Sequence, residues 1–372
     1  MFQLNNVLGV INLSINQPLL HELTYSRATA TVPFGGRYRL IDFVLSNLVN
    51  SGISNVAVLA HNSYRSINDH LGSGKEWDLD RRHRGLFILP SNNQFPGFNG
   101  DLQNFYSSLD YFAYSSEEFV VVSSSHMLCN INYADAVESH QRTGADITVI
   151  YKEMNEGSED FTNLITVDLA EDGRVQRMTE NQTAARSNKV YMRMIVIKKD
   201  LLVDLVKQSV HHNYYDLVRH VIIRNLDTLK VYGYEYKGYL AIINSVQNYY
   251  KYSKELLKPE VWKSLFLQPG LIYTKVKDEP PAIYTADASA TNSLIANGCI
   301  IEGTVENSIL FRGVKIAKGA VVKNSILMQK CVVEPHTYLD HVILDKEVHV
   351  TSGNRLEGDE MSPTVFSKKS II

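Results

Sequence analysis

A four-residue phrase that returns near the carboxyl terminus limits the fold more than any other feature of the chain. Asn292-Ser293-Leu294-Ile295 recurs as Asn-Ser-Ile-Leu from Asn307 and from Asn324, and more loosely as His-Val-Ile-Leu from His341. The starts lie 15, 17 and 17 residues apart. A period of about 17 residues fits three short faces of about six residues each. The spacing predicts a parallel β-helix of hexapeptide repeats, and a small β-sandwich is the alternative.

Segments at helical and strand spacing alternate ahead of the repeats. Each helix-like segment leads into a short apolar run, as expected of α/β units with a mainly parallel sheet. The helix-like segments are 41–51, 106–114 and 133–144, and the strand-like runs that follow them are 55–60, 119–122 and 147–151. The sequence therefore predicts an α/β domain with a Rossmann-like sheet, followed by the β-helix.

The segment around Pro280-Pro281 interrupts both patterns, because consecutive prolines forbid a helix and disfavour a central strand. A chain of 372 residues with 44% apolar content is also long enough for two domains. We therefore predict an α/β domain over 1–267, a linker over 268–290 and a β-helix over 291–372.

Charge and composition make two classes of partner improbable. The net charge is −3, from 37 basic and 40 acidic residues, so we expect neither a nucleic-acid partner nor an anionic membrane surface. The amino terminus lacks a basic leader before an apolar core, which makes the cytoplasm the expected location. Cys129, Cys299 and Cys331 are too scattered to predict a disulfide or a thiolate metal site, so we interpret them as buried apolar side chains.

The phrase RATATVPFGGRYRLIDFVLSN, from Arg27 to Asn47, closely resembles the glucose-1-phosphate adenylyltransferase family. Asn50–Ile53, Trp77–Arg81, Gly100–Leu109 and the hexapeptides follow in the family's order, so the resemblance covers nearly the whole chain. It implies a nucleotidyltransferase α/β domain followed by a left-handed parallel β-helix.

The resemblance also implies a glycine-rich phosphate loop with an arginine, and this chain departs from it. The corresponding positions are Ser14–Leu20, where all three glycines are absent and the arginine is replaced by Leu19. Glycines let backbone N–H groups approach a phosphate, whereas the branched Ile15 and Pro18 obstruct such a loop. We expect no comparable grip on nucleotide phosphates.

Active members of the family hold Mg²⁺ with two aspartates, and both are replaced here. The first corresponds to His126 and the second to Ile242. Imidazole is a poor ligand for Mg²⁺, and an isoleucine side chain cannot bind a metal at all. We therefore predict no catalytic residue and no metal site in this chain.

The sugar-phosphate pocket of the family is altered as well. The lysine that grips the sugar phosphate is replaced by Asn181, which follows Glu180. The Ser-Met-Gly segment of the pocket becomes Tyr191-Met192-Arg193, whose bulk would fill space that a substrate needs. We interpret four residues as remnants of a sugar or nucleotide pocket: Gly100, Glu180, Tyr191 and Met192.

A retained scaffold without its reactive residues resembles the non-catalytic, regulatory GlgD-type subunits of this family. The resemblance implies a heterotetramer with a catalytic glucose-1-phosphate adenylyltransferase subunit in glycogen biosynthesis. It also implies that Mg²⁺ belongs to that catalytic partner and that this chain binds no cofactor. Arg27 and Arg39 match basic positions that line an effector pocket for phosphorylated metabolites, and structural ion pairing is the alternative interpretation of both.

Two other hypotheses remain open at this point. The chain could be a divergent sugar-phosphate nucleotidyltransferase with relocated ligands such as Asp101, Asp110 or Glu180. Alternatively, its altered pocket could bind a nucleotide or sugar phosphate and act as a sensor through differential affinity for two states. Turnover by the isolated chain and ligand-dependent thermal stability would discriminate between these hypotheses.

Overall fold

A computed structural model describes residues 4–14, 17–60, 64–90, 100–154, 163–180, 187–212 and 214–372. The α-helices are α1 (His21–Thr24), α2 (Leu40–Asn50), α3 (Tyr64–Leu71), α4 (Asp101–Ser107), α5 (Leu109–Tyr114), α6 (Tyr133–Thr143), α7 (Lys199–His211), α8 (Val246–Glu255) and α9 (Pro259–Phe266). Short 3₁₀ segments lie at Pro18–Leu20, Thr29–Thr31, Lys75–Trp77 and Ile223–Asn225, and a π-helix lies at Leu217–Ile222.

The strands ahead of the repeats are β1 (Val7–Asn12), β2 (Pro33–Phe34), β3 (Tyr38–Arg39), β4 (Asn55–Ala60), β5 (Gly85–Pro90), β6 (Phe119–Ser123), β7 (Met127–Leu128), β8 (Ile147–Glu153), β9 (Ile165–Leu169), β10 (Val175–Glu180), β11 (Lys189–Lys198), β12 (Val231–Glu235) and β13 (Ala241–Ile242). The later strands are β14 (Ile283–Tyr284), β15 (Ser289–Thr291), β16 (Leu294–Ile295), β17 (Ile300–Ile301), β18 (Thr304–Glu306), β19 (Ile309–Leu310), β20 (Lys315–Ile316), β21 (Val321–Lys323), β22 (Ile326–Leu327), β23 (Val332–Val333), β24 (Tyr338–Asp340), β25 (Val342–Leu344), β26 (His349–Val350), β27 (Arg355–Glu357) and β28 (Thr364–Phe366).

The chain divides into two compact units that interleave along the sequence. The first contains Met1–Asn16, Phe43–Leu240 and Gln268–Tyr273, and the second contains Gln17–Asp42, Ala241–Leu267 and Thr274–Ile372. The domains predicted from the sequence are contiguous, whereas these compact units are not. The predicted domain boundaries therefore stay a prediction.

The first unit is built on a large mixed sheet with strand order β10-β9-β11-β6-β1-β4-β5, in which β8 pairs with β11 and β12 pairs with β8. Strands β1, β4, β5 and β6 run parallel to one another, whereas β11 is antiparallel to both β6 and β8. Every residue of β1, β4 and β6 is buried, in keeping with their near-continuous apolar sequences. The predicted α/β architecture is confirmed.

The helices of this unit follow the sequence signals with one exception. Helix α6 begins after Asn132, whose side chain accepts a hydrogen bond from the Ala134 N–H, and ends at Gly144 in the left-handed conformation. The single helix predicted over 106–114 is wrong, because α4 ends and α5 begins on either side of Ser108. Ser108 leaves helical geometry at φ −110° and ψ 12°.

The segment Gln268–Tyr273, which the sequence assigned to a linker, is held against the first unit by three side chains. Asn130 donates to the Gly270 carbonyl at 2.6 Å, and Asn50 donates to the Leu271 carbonyl at 2.9 Å. The Ser46 hydroxyl accepts from the Tyr273 N–H at 2.9 Å. Backbone groups in this segment are therefore satisfied by side chains in place of a strand partner.

The second unit contains the predicted parallel β-helix, which is confirmed. Its three five-stranded parallel sheets have the orders β14-β17-β20-β23-β26, β15-β18-β21-β24-β27 and β16-β19-β22-β25-β28. Strand β14 already pairs with β17, so the coils begin within the segment that the sequence assigned to a linker. The repeated phrase supplies strands β16, β19, β22 and β25 of one sheet.

The Asn-Ser pair that opens each repeat has a physical reason. Asn292, Asn307 and Asn324 occupy corners with φ between 42° and 47°, a left-handed conformation that asparagine tolerates better than most residues. The serine hydroxyls link successive coils, since Ser293 accepts from the Ser308 N–H at 3.1 Å and Ser308 accepts from the Ser325 N–H at 3.0 Å. The serines of the repeat thus form a ladder in which each hydroxyl accepts a hydrogen bond from a backbone N–H of the next coil.

The remainder of the second unit packs helix α8 and the hairpin β2-β3 into its core. The hairpin turns through Gly35 and Gly36, whose φ values of 58° and 80° favour glycine. The Tyr249 hydroxyl donates to the Pro33 carbonyl at 2.8 Å, and the Tyr250 hydroxyl donates to the Asn324 carbonyl.

The structure confirms the interpretation of the three cysteines. Cys129, Cys299 and Cys331 are free and buried, as predicted. Among the described helices, none is long and apolar enough to cross a membrane.

Candidate functional site

The candidate site of the first unit lies at the carboxyl ends of two neighbouring parallel strands. Strand β1 ends at Asn12 and strand β6 ends at Ser123, and their residues pair in register from Val7 with Phe119 onward. In sheets of this kind, ligands bind beyond the carboxyl ends of the strands. The segment that leaves β6 carries His126, and the segment that leaves β1 carries Ser14.

His126 is buried at this edge and carries no charge at neutral pH. Burial, reinforced by the positive charge of Arg193, lowers the pKa of the imidazole to about 3. Neither ring nitrogen makes a hydrogen bond within the part of the chain that the structure describes. The position that the family resemblance assigns to a metal-binding aspartate thus holds a neutral, enclosed imidazole.

Asp101 opens helix α4 and is tied into the same edge of the sheet. Its carboxylate accepts from the Leu217 N–H at 2.8 Å and from the Asn12 side chain at 3.3 Å. Burial, together with the nearby charge of Asp216, raises the pKa of this carboxyl to about 7. Asp101 is therefore partly protonated near neutral pH.

Gly100 precedes Asp101 and lies directly against another segment of the unit. A Cβ atom at Gly100 would come within 2.0 Å of the Tyr215 carbonyl oxygen, which accepts a hydrogen bond from the Leu102 N–H at 3.3 Å. Only glycine permits this close approach. The segment Tyr215–Leu217 consequently covers the start of helix α4.

Tyr191 and Met192 are buried within strand β11, where the pairing with β8 shifts register. Burial raises the pKa of the Tyr191 hydroxyl, so it stays protonated. Arg193 follows at φ 56° and is half-buried. Large side chains thus occupy the segment that the resemblance assigns to the sugar.

Glu180 ends strand β10 in an ion pair with Arg219. One guanidinium nitrogen, Nη2, donates to both carboxylate oxygens at 2.6 Å, which raises the pKa of the Arg219 side chain. Asn181 lies outside the described residues. Asp110 is exposed on α5, and its side chain forms no hydrogen bond with another described residue.

The remaining positions singled out from the sequence belong to the second unit. Leu19 lies in the 3₁₀ segment Pro18–Leu20 with 59% of its surface exposed, and Ile242 is buried in β13. Leu19 and Ile242 therefore belong to a different compact unit from His126.

Arg27 and Arg39 also lie in the second unit, where they have different surroundings. The buried Arg27 donates from Nη2 to both oxygens of the buried Asp345 at 2.7 Å and from Nη1 to the Leu23 carbonyl at 3.2 Å. Arg39 is half-buried in β3, and its backbone N–H donates to Asp42 at 2.9 Å. Burial, with the charges of Arg39 and Arg27, lowers the pKa of Lys346 to about 7.

Comparisons with known proteins agree with this architecture. Residues 19–235 match the family described as nucleotidyl transferase, and residues 280–362 match the family described as GlmU-like, C-terminal hexapeptide. The "Glycogen biosynthesis protein GlgD" of Bacillus subtilis is 38% identical over 98% of this chain and 96% of its own length. The protein of the same name from Geobacillus stearothermophilus is 42% identical over 86% of this chain and 83% of its own length. The "Glucose-1-phosphate adenylyltransferase" of Fervidobacterium nodosum is 29% identical over 98% of this chain and 89% of its own length.

The chain belongs to the glucose-1-phosphate adenylyltransferase family. Its relatives include proteins named for glycogen biosynthesis, and the coils of its second unit form a left-handed parallel β-helix of hexapeptide repeats. The resemblance found in the sequence is confirmed.

The family resemblance implies that the positions of His126 and Ile242 bind Mg²⁺, and neither side chain fits that ion. Magnesium prefers carboxylate, carbonyl and water oxygens in octahedral geometry, whereas His126 offers nitrogen and Ile242 offers no ligand atom. We therefore derive no catalytic step through a metal bound at these two positions.

Several residues that interact with the candidate residues were not predicted from the sequence. Asn12 carries a usable signal, since it is the first polar residue after the apolar run of β1. Asp216 and Arg219 have no such sequence signal. The charge of Asp216 acts on Asp101, and Arg219 pairs with Glu180, and both pairs are far apart in the sequence. Asp345 directly follows the last copy of the repeat, but its pairing with Arg27 is equally non-local.

Proposed function

We propose that this chain is a regulatory, non-catalytic subunit of a glucose-1-phosphate adenylyltransferase that acts in glycogen biosynthesis. The observation that carries the proposal is the neutral, buried His126 where the family resemblance expects a metal-binding carboxylate. Loss of a single electrostatic group of this kind commonly reduces turnover about 10²- to 10³-fold. The loss of several groups that act as a unit leaves assembly and regulation as the function of the scaffold.

The retained parts of the chain support a role in assembly. The hairpin and helix of the phrase 27–47 are ordered, and the β-helix keeps its coils in register. We infer that the chain forms a heterotetramer with a catalytic paralogue in the cytoplasm, and that the paralogue binds the Mg²⁺ and the substrates.

We further propose that regulation involves a phosphorylated effector at Arg39. Arg39 is half-buried, and its charge contributes to the lowered pKa of Lys346, so two basic side chains lie near one another. Arg27 is the weaker candidate of the two, because its side chain is buried and pairs with the buried Asp345 carboxylate, whereas Arg39 is half-buried. Guanidinium groups suit phosphate through paired N–H donors.

The rate of ADP-glucose synthesis tests the proposal. It is measured for the purified chain, for the catalytic paralogue and for the co-expressed mixture, at saturating ATP, glucose 1-phosphate and Mg²⁺. We expect no turnover from the chain alone and a faster or more substrate-avid mixture. A mixture with the kinetics of the paralogue alone would contradict the regulatory role.

A divergent enzyme is the second candidate, and Asp101 is the observation in its favour. A carboxyl with a pKa near 7 at the edge of the sheet has the properties of a general acid or base. Its other proposed ligands support it less, since Glu180 is paired with Arg219 and Asp110 is exposed. Turnover by the isolated chain that disappears in Asp101→Asn would establish this alternative.

A further inference from the structure

Arg193 occupies a strained position in the first unit. The pairing of β11 with β8 shifts between Tyr191 and Met194, and Arg193 has a φ of 56°. A side chain other than glycine in this left-handed region costs free energy, and such outliers cluster where they aim a side chain at a functional site. The backbone therefore holds this arginine in a conformation that its sequence does not favour.

The guanidinium of Arg193 also has no hydrogen-bond or ion-pair partner among the described residues. The side chain is half-buried, yet it makes no hydrogen bond and no ion pair within the described part of the chain. A guanidinium presents five N–H donors, and withdrawing it from water without an acceptor is unfavourable. By contrast, Arg27 and Arg219 each bind a carboxylate.

The strand pairing places Arg193 at the carboxyl edge of the sheet. Ile195 pairs with Val122 in the antiparallel ladder of β11 and β6, so Arg193 lies just past the end of β6, where the chain continues to His126. The charge of Arg193 acts on both His126 and Asp101. The imidazole of His126 contributes one further N–H donor without a hydrogen bond in the described residues.

The carboxyl groups around this edge already have hydrogen-bond or ion-pair partners. Asp101 accepts hydrogen bonds from Leu217 and Asn12, and Glu180 is paired with Arg219. The Asp216 carboxylate accepts from the Arg219 N–H at 2.7 Å. Among the residues that the structure describes, Arg193 is thus a cationic donor without a direct acceptor.

We propose that Arg193, together with His126, binds the phosphate group of a phosphate ester without a metal ion. A tetrahedral oxyanion offers several acceptors to the guanidinium fork and to an imidazole N–H. The inference rests on the proposed function, since it assigns a ligand class to the altered pocket of a regulatory subunit. The positive charge that Mg²⁺ provides in active relatives is supplied here by a side chain.

Thermal unfolding of the full chain in EDTA tests this inference. Inorganic phosphate, glucose 1-phosphate and AMP are added separately, with sodium chloride at matched ionic strength as the reference. We expect at least one phosphate compound to raise the Tm, and we expect Arg193→Gly to weaken that binding at least tenfold. Glycine adopts the left-handed backbone without strain, so this variant should fold.

Two further variants make the experiment specific. Arg193→Lys keeps the charge but loses the fork, so we expect an intermediate Tm shift. Lys330→Gly is the matched control, because Lys330 is also basic, has a φ of 62° and is exposed between β22 and β23 of the β-helix. It should show the wild-type shift.

The responses to the three probes also identify the source of the phosphate. A larger shift with glucose 1-phosphate or AMP than with inorganic phosphate supports an organic ester, and a shift with inorganic phosphate alone would replace the ester by free phosphate and overturn the ester assignment. The inference is also overturned by no shift with any probe, by an equal shift in Arg193→Gly, or by a shift that requires Mg²⁺. Each of these results leaves the rate comparison of the mixture unaffected, so the two proposals can fail separately.

Discussion

The β-helix and the candidate site treat buried polar side chains in opposite ways. In the coils, each serine of the repeated phrase bonds to the backbone of the next coil, as Ser308 does with Ser325. At the site, His126 and Arg193 have no hydrogen-bond partner in the described residues, and Asp101 has a strongly raised pKa. In the repeats, each coil provides a hydrogen-bond partner for the polar group of the next coil. The site instead keeps groups with shifted pKa values or without hydrogen-bond partners in the described residues, which a purely structural unit would have no reason to retain.

The perturbations at the site also oppose one another. Enclosure lowers the pKa of His126 and raises the pKa of Asp101, so both groups are shifted toward their neutral forms. Such paired shifts are common where proteins bind or process ligands, although structural networks produce them too. The contrast between the two regions can therefore be tested by substitution.

The largest expected effect comes from the buried ion pair of the second unit. Arg27→Ala leaves the buried Asp345 without its cation, and we expect a loss of about 3 to 5 kcal/mol in the free energy of unfolding of that unit. Urea unfolding followed by circular dichroism measures the change. Lys318→Ala removes an exposed ion pair with Asp287 and serves as the control, with no resolved change expected.

A double substitution sharpens this prediction. Arg27→Met with Asp345→Leu removes both charges and keeps apolar volume, so it should be more stable than Arg27→Ala. A single variant as stable as wild type would mean that the ion pair contributes little, and it would leave Arg27 available for an effector.

The second prediction concerns stability against pH. His126 has a folded pKa of about 3, below its ordinary value of 6.5, so the stability it contributes is complete above pH 6.5 and declines as pH falls toward 3. Asp101 has a folded pKa of about 7, above its ordinary 3.8, so its contribution is complete below pH 3.8 and declines as pH rises toward 7. The two slopes oppose each other between about pH 4 and pH 6.5.

Single variants should reveal these hidden slopes. Relative to wild type, Asp101→Asn should lose stability more steeply on acidification, and His126→Gln should lose less, each by up to about 1.4 kcal/mol per pH unit. Urea midpoints at intervals of pH provide the measurement. Parallel curves for the wild type and both variants would show that neither group is perturbed.

Most of the fold was predictable because its signals are local or periodic. Buried strands such as 55–60 appear as apolar runs, and Gly144 ends its helix where the sequence indicates. The coils follow from the returning Asn-Ser pair. The break at Ser108 was missed, because helical spacing continues through it and the backbone alone departs.

The replacement of the family's reactive residues was predictable from the sequence, whereas the side-chain contacts of the site were not. Missing carboxylates are visible at His126 and Ile242 once the family is recognised. The pairing of Glu180 with Arg219 and the strained backbone of Arg193 depend on how distant strands and helices meet. No local sequence pattern predicts such long-range contacts. The interleaving of the two compact units could not be predicted for the same reason, since each unit combines segments that are distant in sequence.

The smallest expected effect lies in the ladder of the coils. The buried Ser325 hydroxyl accepts from the Val342 N–H at 3.1 Å and donates to the Lys323 carbonyl, so Ser325→Ala leaves a buried N–H unpaired. We expect a loss of about 1 to 3 kcal/mol in the free energy of unfolding. Ser352→Ala, at an exposed turn, is the control and should change stability less, since water can replace its bond to the Pro335 carbonyl. An equal loss in both variants would mean that the ladder stabilises the coils no more than an ordinary surface hydrogen bond, and the regularity of the repeat would then reflect the left-handed corners at Asn307 and Asn324 alone.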